Sequence, residues 1–194
     1  MAIRMKLRIE KMNSVIQLKE FHCGIPQLDD FIQNVFQLSI ENHYCRAYSV
    51  VDKDCPDNRV IALFALSFDS LDLDMDDKNE MMTGTSLTSI PQISDKYEDV
   101  FLNKPHYPAL DIAYLAVEQD MQGQGIGQLI IEAIHQRAQQ QDFAGCQFLT
   151  VEALKMAEYS AVGFYEKCGF SPCEYPNPNK NTLRMYRTLY PLEE

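Results

Sequence analysis

The stretch "VEQDMQGQGIGQLI", residues 117–130, decides how this chain of 194 residues is interpreted. It places three glycines at every second position, between the apolar run "ALDIAYLAV" (109–117) and a segment with helical periodicity. The apolar run is typical of a strand covered on both faces. Glycine weakens a helix, so three glycines at a helix start need another explanation.

Bare backbone in front of a helix can hold a phosphate group, because N–H groups approach the oxygen atoms closely and the helix dipole favours negative charge. A tight turn between strand and helix would also use glycine, so the loop alone leaves both interpretations open. A dinucleotide fingerprint counted from Gly123 would need a glycine at Gln128. A P-loop would need Lys and Ser or Thr after Gly127, which is followed by Gln-Leu-Ile. Both nucleotide loops are excluded.

Hydrophobic periodicity predicts an α/β protein with one mixed sheet, whose central unit is strand, helix, strand. Strands are expected at Met5–Met12, Arg46–Asp52, Arg59–Phe68, Ala109–Val117, Cys146–Leu154 and Thr182–Leu189. Helices are expected at Pro26–His43, after the glycines and at Ala157–Cys168. The predicted apolar stripe of the central helix is Ile126, Leu129, Ile130, Ala133, Ile134 and Ala138. The length favours a single domain over residues 1–194, with a long connection at about 69–107.

Two motifs carry a resemblance to a known family. The pattern Q-x-x-G-x-G at Gln122–Gly127 is followed, after a helix and a strand, by "FYEKCGF" at Phe164–Phe170. Together they resemble the GNAT superfamily of acyl-CoA-dependent N-acyltransferases over about residues 109–170. The opening "FHCGIPQLDDFI" (21–32) resembles a GNAT subgroup that includes toxins acetylating aminoacyl-tRNA. The resemblance implies a mostly antiparallel central sheet with a splayed parallel strand pair and flanking helices.

The resemblance also implies roles for individual residues. Backbone N–H groups of the loop would bind the pyrophosphate of acetyl-CoA, the co-substrate, and strand backbone would contact its pantetheine arm and thioester carbonyl. An amine would attack the thioester directly, the N–H of Val117 would stabilise the oxyanion, and Tyr165 would protonate the departing thiolate. A phenol, with an ordinary pKa of about 10, is protonated at neutral pH. Without the resemblance, Tyr165 would be assigned to the core. The implied loop residues are Gln122, Gly123, Gln124, Gly125, Ile126 and Gly127, and the implied strand residues are Leu115, Ala116 and Val117.

The general base is not specified by the sequence. The attacking amine must be neutral, so a base or a water chain is required. Asp111, Glu118 and Glu152 are carboxylates near strand ends, and each also fits a solvated or capping residue. The family often carries an asparagine seven residues before the tyrosine. Here that position is Glu158, so the corresponding contact to the pantetheine arm is not carried over.

The amino-acid composition limits which ligands and partners the protein is expected to bind. A formal net charge of −11 disfavours nucleic acid. Six cysteines without CxxC spacing and four scattered histidines predict free thiols and no metal site. The charged stretch after Met1 does not resemble a leader peptide, and no apolar run is long enough to span a membrane, so a cytoplasmic protein is expected.

The acceptor of the acetyl group stays open between several classes. A small-molecule or peptide amine is expected first, and aminoacyl-tRNA second because of the net charge. A non-catalytic module that binds acyl-CoA or a protein is a further alternative. The acidic run from Asp69 to Glu80 could attract a cationic acceptor, although such a run is more often a solvated loop. A homodimer is suggested by the family alone.

Overall fold

The computed structural model describes residues 6–53, 58–83, 95–173 and 181–189. The strands are β1 (Leu7–Met12), β2 (Arg46–Asp52), β3 (Val60–Leu71), β4 (Tyr107–Val117), β5 (Phe148–Leu154), β6 (Ser171–Pro172) and β7 (Thr182–Thr188). The helices are α1 (Pro26–Asn34), α2 (Phe36–Glu41), α3 (Met75–Thr83), α4 (Asp95–Leu102), α5 (Ile126–Gln140) and α6 (Val162–Lys167). The sheet order is β1-β2-β3-β4-β5-β7-β6. This confirms the predicted mixed α/β sheet.

Two compact units are distinguished along the chain. The first consists of Met1–Ser67 and Ile112–Ile130, and the second of Phe68–Asp111 and Ile131–Glu194. In the first unit, β2 pairs antiparallel with both β1 and β3. In the second unit, β4 and β5 form the predicted parallel pair, and β7 pairs antiparallel with both β5 and β6. The expected single domain stays a prediction.

The N-terminal helical region is two helices, so the single helix predicted for residues 26–43 is wrong. Pro26 begins α1, where its missing N–H leaves no helical hydrogen bond unmade. Val35 interrupts the helical backbone with a φ of −122°, and β-branched residues are poor helix formers. The helices pack in the first unit through Phe36, which is fully buried, and Phe31, whose ring stacks on Tyr114 at 4.3 Å.

The stretch predicted as a long connection carries regular structure over most of its described residues. Strand β3 continues to Leu71, and α3 and α4 follow, with residues 84–94 outside the described part. The Oδ1 of Asp74 accepts the N–H of Asp77 at 2.7 Å in the first turn of α3. Acidic residues at this point therefore mark a helix start. The second unit's core contains Leu71, Leu73, Met81, Phe101, Tyr107, Ala109, Phe148, Cys173 and Tyr186.

Helix α5 keeps most of the predicted apolar stripe, but Leu129 is exposed, Ile131 is buried in its place, and Ala133 is half-buried. Leu129 is 59% exposed, while Ile131 is fully buried. Residues 129–131 are all apolar, and successive residues point about 100° apart around a helix, so the sequence does not decide which of them faces solvent. The other predicted members Ile126, Ile130, Ile134 and Ala138 are buried.

Five cysteines fall within the described residues, and all five are free thiols; Cys55 lies outside them. No helix in the described part of the chain has the length and apolar character needed to cross a bilayer.

Candidate active site

The glycine loop has alternating backbone handedness. Gly123 and Gly125 have φ values of +74° and +81°, while Gln124 between them is not among the residues with positive φ. A Cβ at either glycine would meet no atom within 4 Å. Backbone conformation, and not lack of space, therefore requires glycine at both positions. An alternation of this kind is typical of backbone whose successive N–H groups face one point, an arrangement that binds anions.

Helix α5 begins within this loop at Ile126 and adds further donors. The N–H of Leu129 donates to the carbonyl of Gly125 at 3.1 Å. The N–H groups of Ile126, Gly127 and Gln128 come before this bond and have no acceptor inside the helix. Because the helix dipole also places positive charge at this end, the loop and the helix start favour a phosphate group together.

The end of β4 leads directly into the loop. Ala116 is buried in the core of the first unit, whereas Leu115 and Val117, which alternate with it along the strand, are half-buried. The carbonyl oxygen of Val117 accepts a hydrogen bond from the Gln122 side chain at 3.0 Å. The loop thus folds back onto the strand end from which it leaves.

Two carboxylates beside the loop share one arginine. The Arg59 guanidinium contacts Glu118 at 2.5 Å and Asp120 at 3.2 Å. Glu118 is 7% exposed, and its backbone N–H donates to the carbonyl of Ile61 at 2.9 Å. Since Arg59 carries a positive charge, it offsets negative charge that would repel a pyrophosphate. Arg59 is not predictable from the sequence, because no local motif links it to residues so much further along the chain.

Tyr165 lies in α6, in the second unit. Its side chain is buried, with its ring centroid 5.0 Å from that of Phe164 and 5.4 Å from that of Phe170. Burial raises the pKa of Tyr165, and the nearby Tyr159 and Asp111 raise it further. The phenol therefore keeps its proton throughout the neutral pH range.

Helix α6 is shorter than predicted. The helix expected from Ala157 begins at Val162, since the preceding residues form a turn in which the N–H of Met156 donates to the carbonyl of Tyr159 at 2.8 Å. Glu158 is exposed in this turn.

The carboxylates considered as general bases all have polar partners. Glu118 pairs with Arg59, as described above. Glu152 accepts hydrogen bonds from Thr182 at 2.7 Å and from Arg184 at 3.3 Å. Asp111 lies 3.5 Å from the Thr150 hydroxyl. None of the three is singled out by these contacts.

A polar network in the second unit was not predicted. The buried Thr150 donates to the Oδ2 of Asp69 at 2.5 Å, and Arg184 donates to the same oxygen at 2.7 Å. Its members lie on different strands, so no local sequence signal connects them.

The acidic run from Asp69 to Glu80 is partly engaged within the protein and partly solvated, since Asp76 and Glu80 are exposed. Asp69 pairs with Arg184, and Asp72 contacts His106. Asp77 is 6% exposed and lies 3.5 Å from the Tyr186 hydroxyl. Some of the acidic residues that could attract a cationic acceptor therefore have partners within the protein. No group of three or more His, Cys, Asp and Glu residues in the described ranges is placed to hold a metal ion.

The chain resembles known proteins in sequence and in fold. The acetyltransferase (GNAT) domain matches residues 94–172. No curated protein matches the chain significantly in sequence. A solved structure of AtaT complexed with acetyl-methionyl-tRNAfMet is 22% identical, with a TM-score of 0.64 over 92% of this chain and 94% of that one.

Two further structures show the same likeness. A tyrosine-to-phenylalanine variant of KacT is 20% identical, with a TM-score of 0.66 over 94% of this chain and 95% of that one. AtaTR bound with acetyl-CoA is 21% identical, with a TM-score of 0.60 over 94% and 93%. At sequence identities of 20–22%, the similarity to these solved structures shows the fold alone. The loop, α5 and Tyr165 all lie within residues 94–172, so the part of the chain that carries the candidate site matches the acetyltransferase (GNAT) domain that its two motifs predicted.

Proposed function

We propose that this protein transfers the acetyl group of acetyl-CoA to a primary amine by direct attack. The observation that carries the proposal is the positive φ of Gly123 and Gly125 in the loop at the start of α5, within the residues that match a GNAT acetyltransferase domain. AtaTR, which has a similar fold, is described as bound with acetyl-CoA. This supports acetyl-CoA as the co-substrate whose pyrophosphate occupies the loop.

In the proposed reaction, the neutral amine nitrogen forms a bond to the thioester carbonyl carbon, and the carbon–sulfur bond then breaks. The amine loses one proton and the sulfur gains one, so the products are an amide and free CoA. The backbone of Leu115, Ala116 and Val117 contacts the pantetheine arm. The N–H of Val117 stabilises the oxyanion, a type of contact that contributes strongly to acyl transfer.

Tyr165 is proposed as the proton donor to sulfur. Because burial raises its pKa, the phenol is protonated before the carbon–sulfur bond breaks. The proton can move to a thiolate that forms away from water, because desolvation makes the thiolate a stronger base. Tyr165 then regains a proton from the amine through solvent.

A second candidate concerns the acceptor. AtaT, solved in complex with acetyl-methionyl-tRNAfMet, has a similar fold over 92% of this chain. This similarity favours the α-amino group of an aminoacyl-tRNA as the acceptor of the acetyl group. The net charge of −11 opposes binding to RNA, so a small-molecule or peptide amine is retained as the first candidate.

Thiol release from acetyl-CoA tests both candidates. The acceptors are a panel of diamines, peptides with free N-termini and aminoacyl-tRNA, and the enzymes are wild type, Tyr165→Phe and, as a matched control, the exposed Tyr44→Phe. Release with peptides or diamines supports the first acceptor class, and release with aminoacyl-tRNA alone supports the second. If acetyl-CoA binds and no amine raises thiol release, the proposal fails and a non-catalytic acyl-CoA-binding module takes its place.

A further inference from the structure

The side-chain amide of Gln122 joins two parts of the chain at the base of the glycine loop. Its Nε2 donates to the carbonyl oxygen of Cys23 at 2.7 Å and to that of Val117 at 3.0 Å. A primary amide carries two N–H donors, so both bonds form at once. The end of β4 is thereby connected to a turn in the N-terminal segment.

A second set of contacts runs beside the first. The backbone N–H of Gln119 donates to the carbonyl of His22 at 2.9 Å. The Gln119 side chain also lies against Gly24, where an added Cβ would be 3.0 Å from its Cδ. Gly24 has a φ of +80°, so this close approach uses a glycine on both conformational and steric grounds. The turn at 22–24 therefore packs directly against the segment that leads into the loop.

Asp29 fixes the turn from the other side. Its carboxylate accepts the N–H of Cys23 at 2.7 Å and the N–H of Gly24 at 3.1 Å. Hydrogen bonds to a charged acceptor are stronger than neutral ones. Phe21 and Cys23 are buried in the core of the first unit. The turn is thus a rigid support.

We propose that the Gln122 side chain is a positioning residue for acetyl-CoA, which transmits the rigidity of the turn at 22–24 to the pyrophosphate loop. The loop contains glycines, whose backbone is permissive, and its N–H groups converge only while Gly123 and Gly125 keep positive φ. Anchoring the residue before them reduces the ordering that binding must otherwise supply. The inference rests on the proposed function and adds the segment 21–29 to the co-substrate binding machinery.

Gln122→Met tests the proposal, because it keeps the length of the side chain and removes both donors. The matched control is Gln136→Met, at an exposed position of α5 two turns away from the loop. Calorimetric titration with acetyl-CoA should give a Kd about tenfold higher for Gln122→Met, as expected for lost hydrogen bonds, and an unchanged Kd for the control. The KM for acetyl-CoA should rise with Kd, while kcat at saturation stays within about twofold.

Asp29 supplies an independent arm of the test. Asp29 contacts the turn and not the loop, so its effect on acetyl-CoA should pass through Gln122. Asp29→Asn should raise Kd about threefold in the wild-type background and leave it unchanged in the Gln122→Met background, since coupled residues are not additive. Fully additive effects would contradict the inference.

The outcomes separate this inference from the proposed function. If the wild-type protein does not bind acetyl-CoA, both fail. If it binds and Gln122→Met has an unchanged Kd, the inference alone fails. A Gln122→Met protein that loses kcat as strongly as affinity and unfolds several degrees earlier would assign Gln122 a merely structural role, which also overturns the inference.

Discussion

Arg59 and Glu118 form an ion pair with an N–O distance of 2.5 Å at the strand end that leads into the glycine loop. Glu118 is almost fully buried, and Arg59 also contacts Asp120. In a chain with a net charge of −11, Arg59 offsets part of the negative charge of these two carboxylates beside the loop where a pyrophosphate is proposed to bind.

Removing this charge should weaken acetyl-CoA binding in a salt-dependent manner. Arg59→Gln leaves Glu118 and Asp120 without their shared partner. We expect the Kd for acetyl-CoA to be about fivefold higher at low ionic strength. Charges are then poorly screened, because the Debye length is about 30 Å at 0.01 M. The difference should shrink as salt is added. Arg137→Gln, an exposed position near the end of α5, is the control of equal charge. Equal effects in the two variants would show that only net charge matters.

Replacing the proposed proton donor should reduce kcat without affecting affinity. Tyr165→Phe keeps the ring that packs on Phe164 and Phe170 and removes only the hydroxyl. We expect kcat to fall by about 10²–10³, the usual contribution of general acid catalysis, with KM for acetyl-CoA unchanged. In wild type, kcat should not fall as pH is raised toward about 10, because burial raises the pKa of Tyr165 above its ordinary value. A kcat within twofold of wild type would remove Tyr165 from the reaction.

The handedness of the loop predicts which glycines tolerate a side chain. Gly125→Ala meets no atom within 4 Å, yet it must adopt a φ of +81°. The left-handed region costs an L-residue about 1–2 kcal/mol, so the loop should rearrange and Kd for acetyl-CoA should rise at least about tenfold. Gly145→Ala also has open space and lacks a positive φ, and it should bind as wild type does. Equal binding by Gly125→Ala and wild type would show that this loop conformation is not needed.

The sequence predicted those features that are encoded locally. The loop, the apolar strand before it and the aromatic helix after it each lie within a few residues, and the two motifs together predicted the domain family that matches residues 94–172. The break at Val35 was missed because the apolar spacing of residues 26–43 continues across it. Helices α3 and α4 were missed because their acidic residues resemble a loop when their internal partners are unknown.

Contacts between distant residues were not predictable. Asp69 and Arg184 are 115 positions apart and meet at 2.7 Å. Gln122 and Cys23 are 99 positions apart, and each belongs to a motif that the sequence shows on its own. Their connection depends on how β4 and the N-terminal helices pack, which periodicity does not specify.

His135 should make stability depend on pH. Its Nε2 lies 3.0 Å from the carbonyl oxygen of Thr188, and burial lowers the pKa of this imidazole, outweighing that hydrogen bond. The unfolded chain therefore binds a proton at a higher pH than the folded protein, so stability is retained above the ordinary histidine pKa of about 6.5 and is lost as pH falls below it. His135→Gln keeps a donor for Thr188 and cannot titrate. Urea unfolding between pH 5 and 7 should show a smaller loss of stability in the variant than in wild type. The imidazole C–H resonance of His135 should titrate at a lower pH in the folded protein than in the unfolded chain, and a higher midpoint in the folded protein would reverse the expected sign.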